Sequence, residues 1–405
     1  MRQETAPGKD WRIILTLLIS ALGGFFFIVQ AFSLGVLWLI SFFNPAGNIV
    51  ENTTIGLLAW TSVLSALLLT PLVLISVNQL RGKPTSAWPH RHAPLLGKAL
   101  RWVILIWPVV VFLGWLVAGM EQMAAIFLGP INLLVAGIPI LWIFTLAQTG
   151  LASGPQIRKW RLFGFSIALV PMLVIIIELL AALFLGGMAA IGLSLRFYAN
   201  PQLEQQLLLL AEQVTNLGQD LDAIFDAFKP FLLQPGIIFW GLAIFGGVFP
   251  IIEELIKPIA LWTLAGRKIT PQEGFVGGLL CGAGFALMEN VLFFTNVFLA
   301  EEWLFMAIGR AGTGVLHMLA SGILGWGLAL AWRDGKWLAL GLTTLSAFIL
   351  HGAWNILAVI TGVVPLLILN TEPTLGQSLL FNSPMTLLLV LAVIGLILIN
   401  THLRQ

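Results

Sequence analysis

Charge is what this chain has least of. Only 9% of its 405 residues are charged and 59% are hydrophobic, whereas soluble domains carry about 25% charged residues. A soluble globule could not cover its surface with so few charges, and neither a disordered segment nor a coiled coil is built this way. There is one cysteine, Cys281, which excludes a disulfide scaffold. The short alternating segments of a transmembrane β-barrel are missing. The net charge of +2 gives no reason to expect nucleic acid as a partner. What remains is an all-α polytopic transmembrane bundle.

Long apolar runs are abundant. A helix needs about 20 apolar residues to cross the hydrocarbon core, and the chain offers ten candidates: 13–41, 54–79, 102–119, 124–147, 163–190, 236–265, 274–297, 303–331, 337–362 and 384–402. The third and fourth are divided only by a short linker around Met120–Gln122. The first run is far longer than the apolar core of a signal peptide, so no cleaved leader is expected. Sixteen of the 20 Lys and Arg residues fall on alternate ends of these spans, among them Arg2, Lys9, Arg12, Arg81, Arg91, Lys98, Arg101, Arg158, Arg267, Arg333 and Arg404. The positive-inside bias then places both termini in the cytoplasm of a cell (inner) membrane protein.

One loop has structure of its own. Asn200-Pro201 reads as a helix start. Apolar residues at 203, 207, 210, 214, 217, 221, 224 and 228 follow with alternating spacings of four and three, and Pro230 is expected to end the run. The segment 199–235 is therefore an extracytoplasmic amphipathic helix, or a helical hairpin broken near Gly218, lying on the membrane; a lid and an oligomer seam are the other readings. The chain divides into an N-terminal membrane region (1–198), this segment (199–235), a core (236–363) and a C-terminal loop with the last span (364–405).

Ionisable residues inside a membrane are costly and mark function. The first four spans have essentially none, and the fifth has Glu178. Spans six to nine hold Glu253, Glu254, Lys257, Glu289, Arg310, His317 and His351, with Asn290 and Asn355 beside them. Glu253 lies 14 residues from Arg267, Glu289 15 from Gly274, His317 16 from Arg333 and His351 15 from Lys336. Four successive helices thus bring an acid or an imidazole to one level within about 3 Å. Glycines thin spans seven and eight, either for ordinary helix packing or to make room for a compact site. Cys281 lies inside span seven as a small packing residue.

A carboxylate in low dielectric can act as a base toward water, and imidazole or amide donors can hold an oxyanion. Glutamate and histidine also ligate zinc, which activates water. Both routes are hydrolysis inside a membrane. No HExxH, no GxSxG and no paired intramembrane aspartates are present, so those hydrolytic classes are set aside. A buried ion pair, an ion relay in a transporter and a silent scaffold are the competing readings. Arg310 is read as a partner for Glu301, Glu302 or a substrate carboxylate.

The same residues fall into four ordered motifs: Glu253-Glu254-Leu255-Ile256-Lys257, then Gly284-Phe285 through Glu289-Asn290, then Arg310 with His317, then His351-Gly352-Ala353-Trp354-Asn355. The set resembles the PrsW family of intramembrane proteases, distant relatives of the CAAX prenyl proteases, over about 236–363. Phe293 and Phe294 stand where the family would suggest a tyrosine. The resemblance implies cleavage of membrane-anchored proteins; PrsW proteins are linked to membrane-bound anti-sigma factors cut outside the bilayer. It implies catalysis by Glu253, Glu254, Glu289, His317, His351 and Asn355, support from Lys257, Asn290 and Arg310, and a divalent metal such as zinc on His317, His351 and Glu289. The lipid bilayer is the other partner, and oligomeric state is not read from the sequence.

Overall fold

The structure is a computed structural model and describes residues 11–43, 49–83, 99–199, 201–217, 221–296, 299–368 and 374–405. Helices dominate, and no strand occurs among the described residues. This is what long apolar runs require, because in lipid only a helix satisfies every backbone N–H and C=O within its own segment. Among the described residues, nine helices are long and apolar enough to cross a membrane. The tenth expected span falls short. Residues 102–119 form a 3-10 turn, Val103–Ile106, and then helix α3, Trp107–Ala118, with Pro108 in its first turn and Gly119 capping its end. At 1.5 Å per residue the pair reaches roughly 24 Å, against a hydrocarbon core of about 30 Å.

The other helices are α1 (Trp11–Phe42), α2 (Ile49–Leu80), α4 (Glu121–Ala147), α5 (Gln156–Ala168), α6 (Val170–Ala199), α7 (Pro201–Leu217), α8 (Leu221–Leu232), α9 (Pro235–Ala243), α10 (Phe249–Ile256), α11 (Ile259–Trp262), α12 (Pro271–Phe293), α13 (Ala300–Asp334), α14 (Trp337–Gly362), α15 (Val364–Ile368) and α16 (Leu375–Arg404). A π-helical turn, Ile244–Val248, separates α9 from α10. The chain divides into two compact units. The first holds Met1–Met172, Glu254–Leu350 and Leu389–Gln405; the second holds Leu173–Glu253 and His351–Leu388.

In the first unit α12 and α13 are central, with 89% and 83% of their apolar windows buried against 22% for α1. Glycine spacing explains their closeness. Gly274, Gly278 and Gly282 recur every fourth residue on one face of α12. A methyl group at Gly278 would stand 2.0 Å from the Ser321 carbonyl, and one at Gly282 would stand 2.3 Å from the His317 carbonyl. The backbones touch because no side chain separates them. Helix α12 starts with a capping box between Thr270 and Glu273, with Pro271 at its first position. Cys281 is fully buried in an apolar cluster with Leu162, Phe165, Leu261 and Leu328, the packing role expected of it. At one end of this unit Arg12 Nε donates to the Thr263 carbonyl, Gln272 to that of Leu403 and Asn400 to that of Ala147. The start of α1, the loop after α4, the start of α12 and the end of α16 therefore share an end. These are segments that the charge pattern assigns to one side.

In the second unit the amphipathic stretch forms two helices, α7 and α8. Asn200 and Gly218 lie outside the described residues. Pro230 does not end the run: α8 continues through it to Leu232. Proline removes only its own N–H, and Leu233 still donates to the Lys229 carbonyl at 3.1 Å.

Candidate active site

Two groups of polar side chains lie in the apolar helices, and each unit carries one. In the first unit the turn between α10 and α11 presents Lys257, whose side chain is fully buried. Its Nζ donates to Glu254 Oε1 at 2.7 Å, one helical turn earlier, and to His317 Nδ1 at 2.8 Å. It also lies 4.3 Å from the centre of the Phe285 ring. A lone buried ammonium would cost several kcal/mol; here a carboxylate, an imidazole and an aromatic face surround it. An ammonium can only donate, so Nδ1 of His317 accepts and the ring proton of the neutral imidazole sits on Nε2. That nitrogen donates to Glu289 Oε2 at 2.9 Å. Phe285 packs edge-on against the same imidazole, with centroids 5.3 Å apart.

Beyond Glu289 the chain of groups continues. Arg310 Nη2 pairs with Glu289 Oε2, and Arg310 Nε donates to Asn290 Oδ1 at 2.6 Å. Asn290 returns a bond from Nδ2 to the Arg310 carbonyl at 3.1 Å. Arg310 therefore binds the second motif, not Glu301 or Glu302 as expected from sequence. Its spacing of seven from His317 puts both residues on one face of α13, and Glu289 bridges them. Ser321 Oγ donates to Glu254 Oε2 at 3.4 Å. Sequence reasoning missed this partner. The available signal was that Ser321 follows His317 by four residues, on the same face.

In the second unit Glu253 and His351, both buried, face each other with Oε2 and Nε2 3.8 Å apart. The close passage of two backbones fixes His351's neighbours. A methyl group at Gly352 would lie 2.2 Å from the Gly246 carbonyl, and one at Gly246 would meet Ile356 at 2.4 Å. The wide π turn shifts the local hydrogen-bond pattern, and Asn355 Nδ2 donates to the Phe245 carbonyl at 3.0 Å. Asn355 thus holds backbone in this structure. Glu178 is half-buried on α6.

The donor chemistry bears on a metal. A carboxylate oxygen and an imidazole nitrogen 3.8 Å apart are close to the roughly 3.3 Å between two ligands on a tetrahedral ion with bonds near 2.0–2.1 Å. Glu253 and His351 fit two positions of such an ion. Glu289 is occupied by Arg310 and His317, and the two nitrogens of His317 by Lys257 and Glu289.

A polytopic helical bundle with carboxylates, imidazoles and a buried lysine in its apolar helices carries the groups that hydrolysis within a membrane would need. A family model described as PrsW family intramembrane metalloprotease matches residues 176–394. The chain belongs to that family, and its class of activity is intramembrane peptide hydrolysis. No curated protein and no solved structure matches it. The match begins inside α6 and takes in α7, α8 and the first part of α16, so the 199–235 segment, set outside the resemblance from sequence, lies within the family's extent.

Proposed function

We propose that the protein cuts membrane-anchored proteins with a water molecule deprotonated by Glu253. The observation that carries this choice is the contrast between two consecutive glutamates. Glu254 is committed to the ammonium of Lys257 at 2.7 Å, whereas Glu253 faces an imidazole at 3.8 Å. Both carboxylate oxygens of Glu254 are taken up by its own network, Oε1 by Lys257 and Oε2 by Ser321. In this reading Glu253 takes a proton from water, the hydroxide oxygen bonds to the peptide carbonyl carbon, and the proton passes to the departing amine as the C–N bond breaks. His351 would be a ligand of a divalent ion, whose chemistry is to polarise a carbonyl and lower the pKa of bound water, with Glu253 beside that ion as the base. Asn355 is a positioning residue that keeps the π turn in place. Lys257, Glu254, Glu289, Asn290 and Arg310 hold His317 in one tautomer and orientation.

We infer further that both termini face the cytoplasm of a cell membrane and that 236–363 is the catalytic core. The charge bias of the loops supports the first and the span of the four motifs supports the second. The test is a comparison of membrane-protein N-termini from cells carrying wild type or Glu253→Gln at equal folded abundance. New N-termini with wild type alone, reproduced with purified enzyme and substrate, are the expected result. Identical N-termini would overturn the reading.

A further inference from the structure

One cavity outside the polar groups above belongs to the first unit. It has a volume of about 470 Å3 and lies between α4 and the last turns of α16. Its walls are mostly apolar, with Ile143 and Leu146 on one side and Leu396 and Ile397 on the other; Arg101 and Arg404 line it too. No Asp or Glu lines it. Both arginines are exposed, and among the described residues neither has a carboxylate partner.

The cavity is built into the fold. Asn400 Nδ2 donates to the carbonyls of Ala147 and Thr149 at 2.7 and 3.1 Å. This pins the tip of α16 to the end of α4, while the space opens one to two turns back along both helices. Gly150 has φ +77°, and a methyl group there would stand 2.9 Å from Arg404 Nε. Glycine therefore lets the Arg404 side chain lie over this turn. Trp142 donates its indole N–H to the Arg101 carbonyl at 3.0 Å.

We propose that this cavity seats one anionic phospholipid, with an acyl chain between α4 and α16 and its phosphodiester between Arg101 and Arg404. An apolar slot suits an acyl chain. Two guanidinium groups lining it suit a phosphate, which accepts their paired N–H donors. A lipid whose headgroup carries a compensating cation gains less from two arginines, so the site selects for net negative charge.

The test uses the full-length protein in detergent. Retention of phosphatidylglycerol and of phosphatidylcholine with identical chains is measured by native mass spectrometry. Wild type is expected to keep phosphatidylglycerol about tenfold better. Arg101→Gln/Arg404→Gln is expected to lose the preference while still binding lipid. Ile397→Trp, which fills the slot from an exposed position, is expected to lose both lipids. Equal retention of the two lipids by wild type, or an unchanged preference in the folded double arginine variant, overturns the proposal. So does lipid-independent pairing of two copies through a cysteine placed at Ile397.

Discussion

The two units carry ionisable groups of the same kinds and use them differently. In the first, Glu254, Lys257, His317, Glu289, Arg310 and Asn290 form an unbroken series in which each charge meets a partner. In the second, Glu253 and His351 face each other at 3.8 Å, longer than a hydrogen bond. The contrast separates two tasks for buried charge. A saturated network fixes geometry and is expensive to break, whereas the Glu253–His351 pair is where we place the chemistry.

The comparison is sharpened first by catalysis. Glu253→Gln is expected to lower turnover by at least about 10³-fold with thermal stability close to wild type, whereas Glu254→Gln should lose activity mainly through loss of folded protein. Turnover per folded molecule, with unfolding followed in detergent, distinguishes them. Equal catalytic defects at equal stability would break the division.

Next comes the buried pair. Removing the charge of Glu254 or of Lys257 alone is expected to cost about 3–5 kcal/mol, because a buried charge is stranded. Glu254→Gln/Lys257→Met should recover much of that loss, giving a coupling of opposite sign to the single effects. Denaturant unfolding of the four proteins closes the cycle.

Packing comes third. Gly278→Ala is expected to cost about 1–3 kcal/mol, since its methyl group would collide with the Ser321 carbonyl rather than with a movable side chain. Gly24→Ala has open space within 4 Å and should leave stability near wild type in the same unfolding assay.

Metal content provides a test that does not depend on turnover. His351→Ala is expected to reduce bound divalent metal in the purified protein at least tenfold, measured by elemental analysis, whereas Arg310→Gln should leave it largely intact. The smallest effect belongs to Arg158 and Glu273, joined at 2.8 Å and partly exposed. Breaking that pair is expected to change stability by about 0–1 kcal/mol.

Much of this was legible in sequence. Apolar length announced the helices, because lipid leaves the backbone no alternative. The chain's four motifs marked the polar residues, because burying charge in such helices is too costly without a use. Within the first unit His317 meets Glu289, and within the second Glu253 faces His351. The shortfall of α3 was harder to see. Its apolar run looked sufficient, but Pro108 and Gly119 bound a shorter helix. Pro230 misled in the opposite direction, since a helix tolerates one missing N–H when the next bonds still form.

Composition and register therefore determined the class of fold, the family's motifs and the list of polar residues, since those follow from helix length, period and the cost of burying charge. Tertiary structure decided which residues pair. Lys257 takes Glu254, and Arg310 takes Glu289 rather than Glu301 or Glu302. The physical reason is that a pair forms where two side chains from different helices are brought within hydrogen-bond range. For Lys257 and His317 that range depends on the glycine face of α12, where the backbone carbonyl of His317 rests against Gly282.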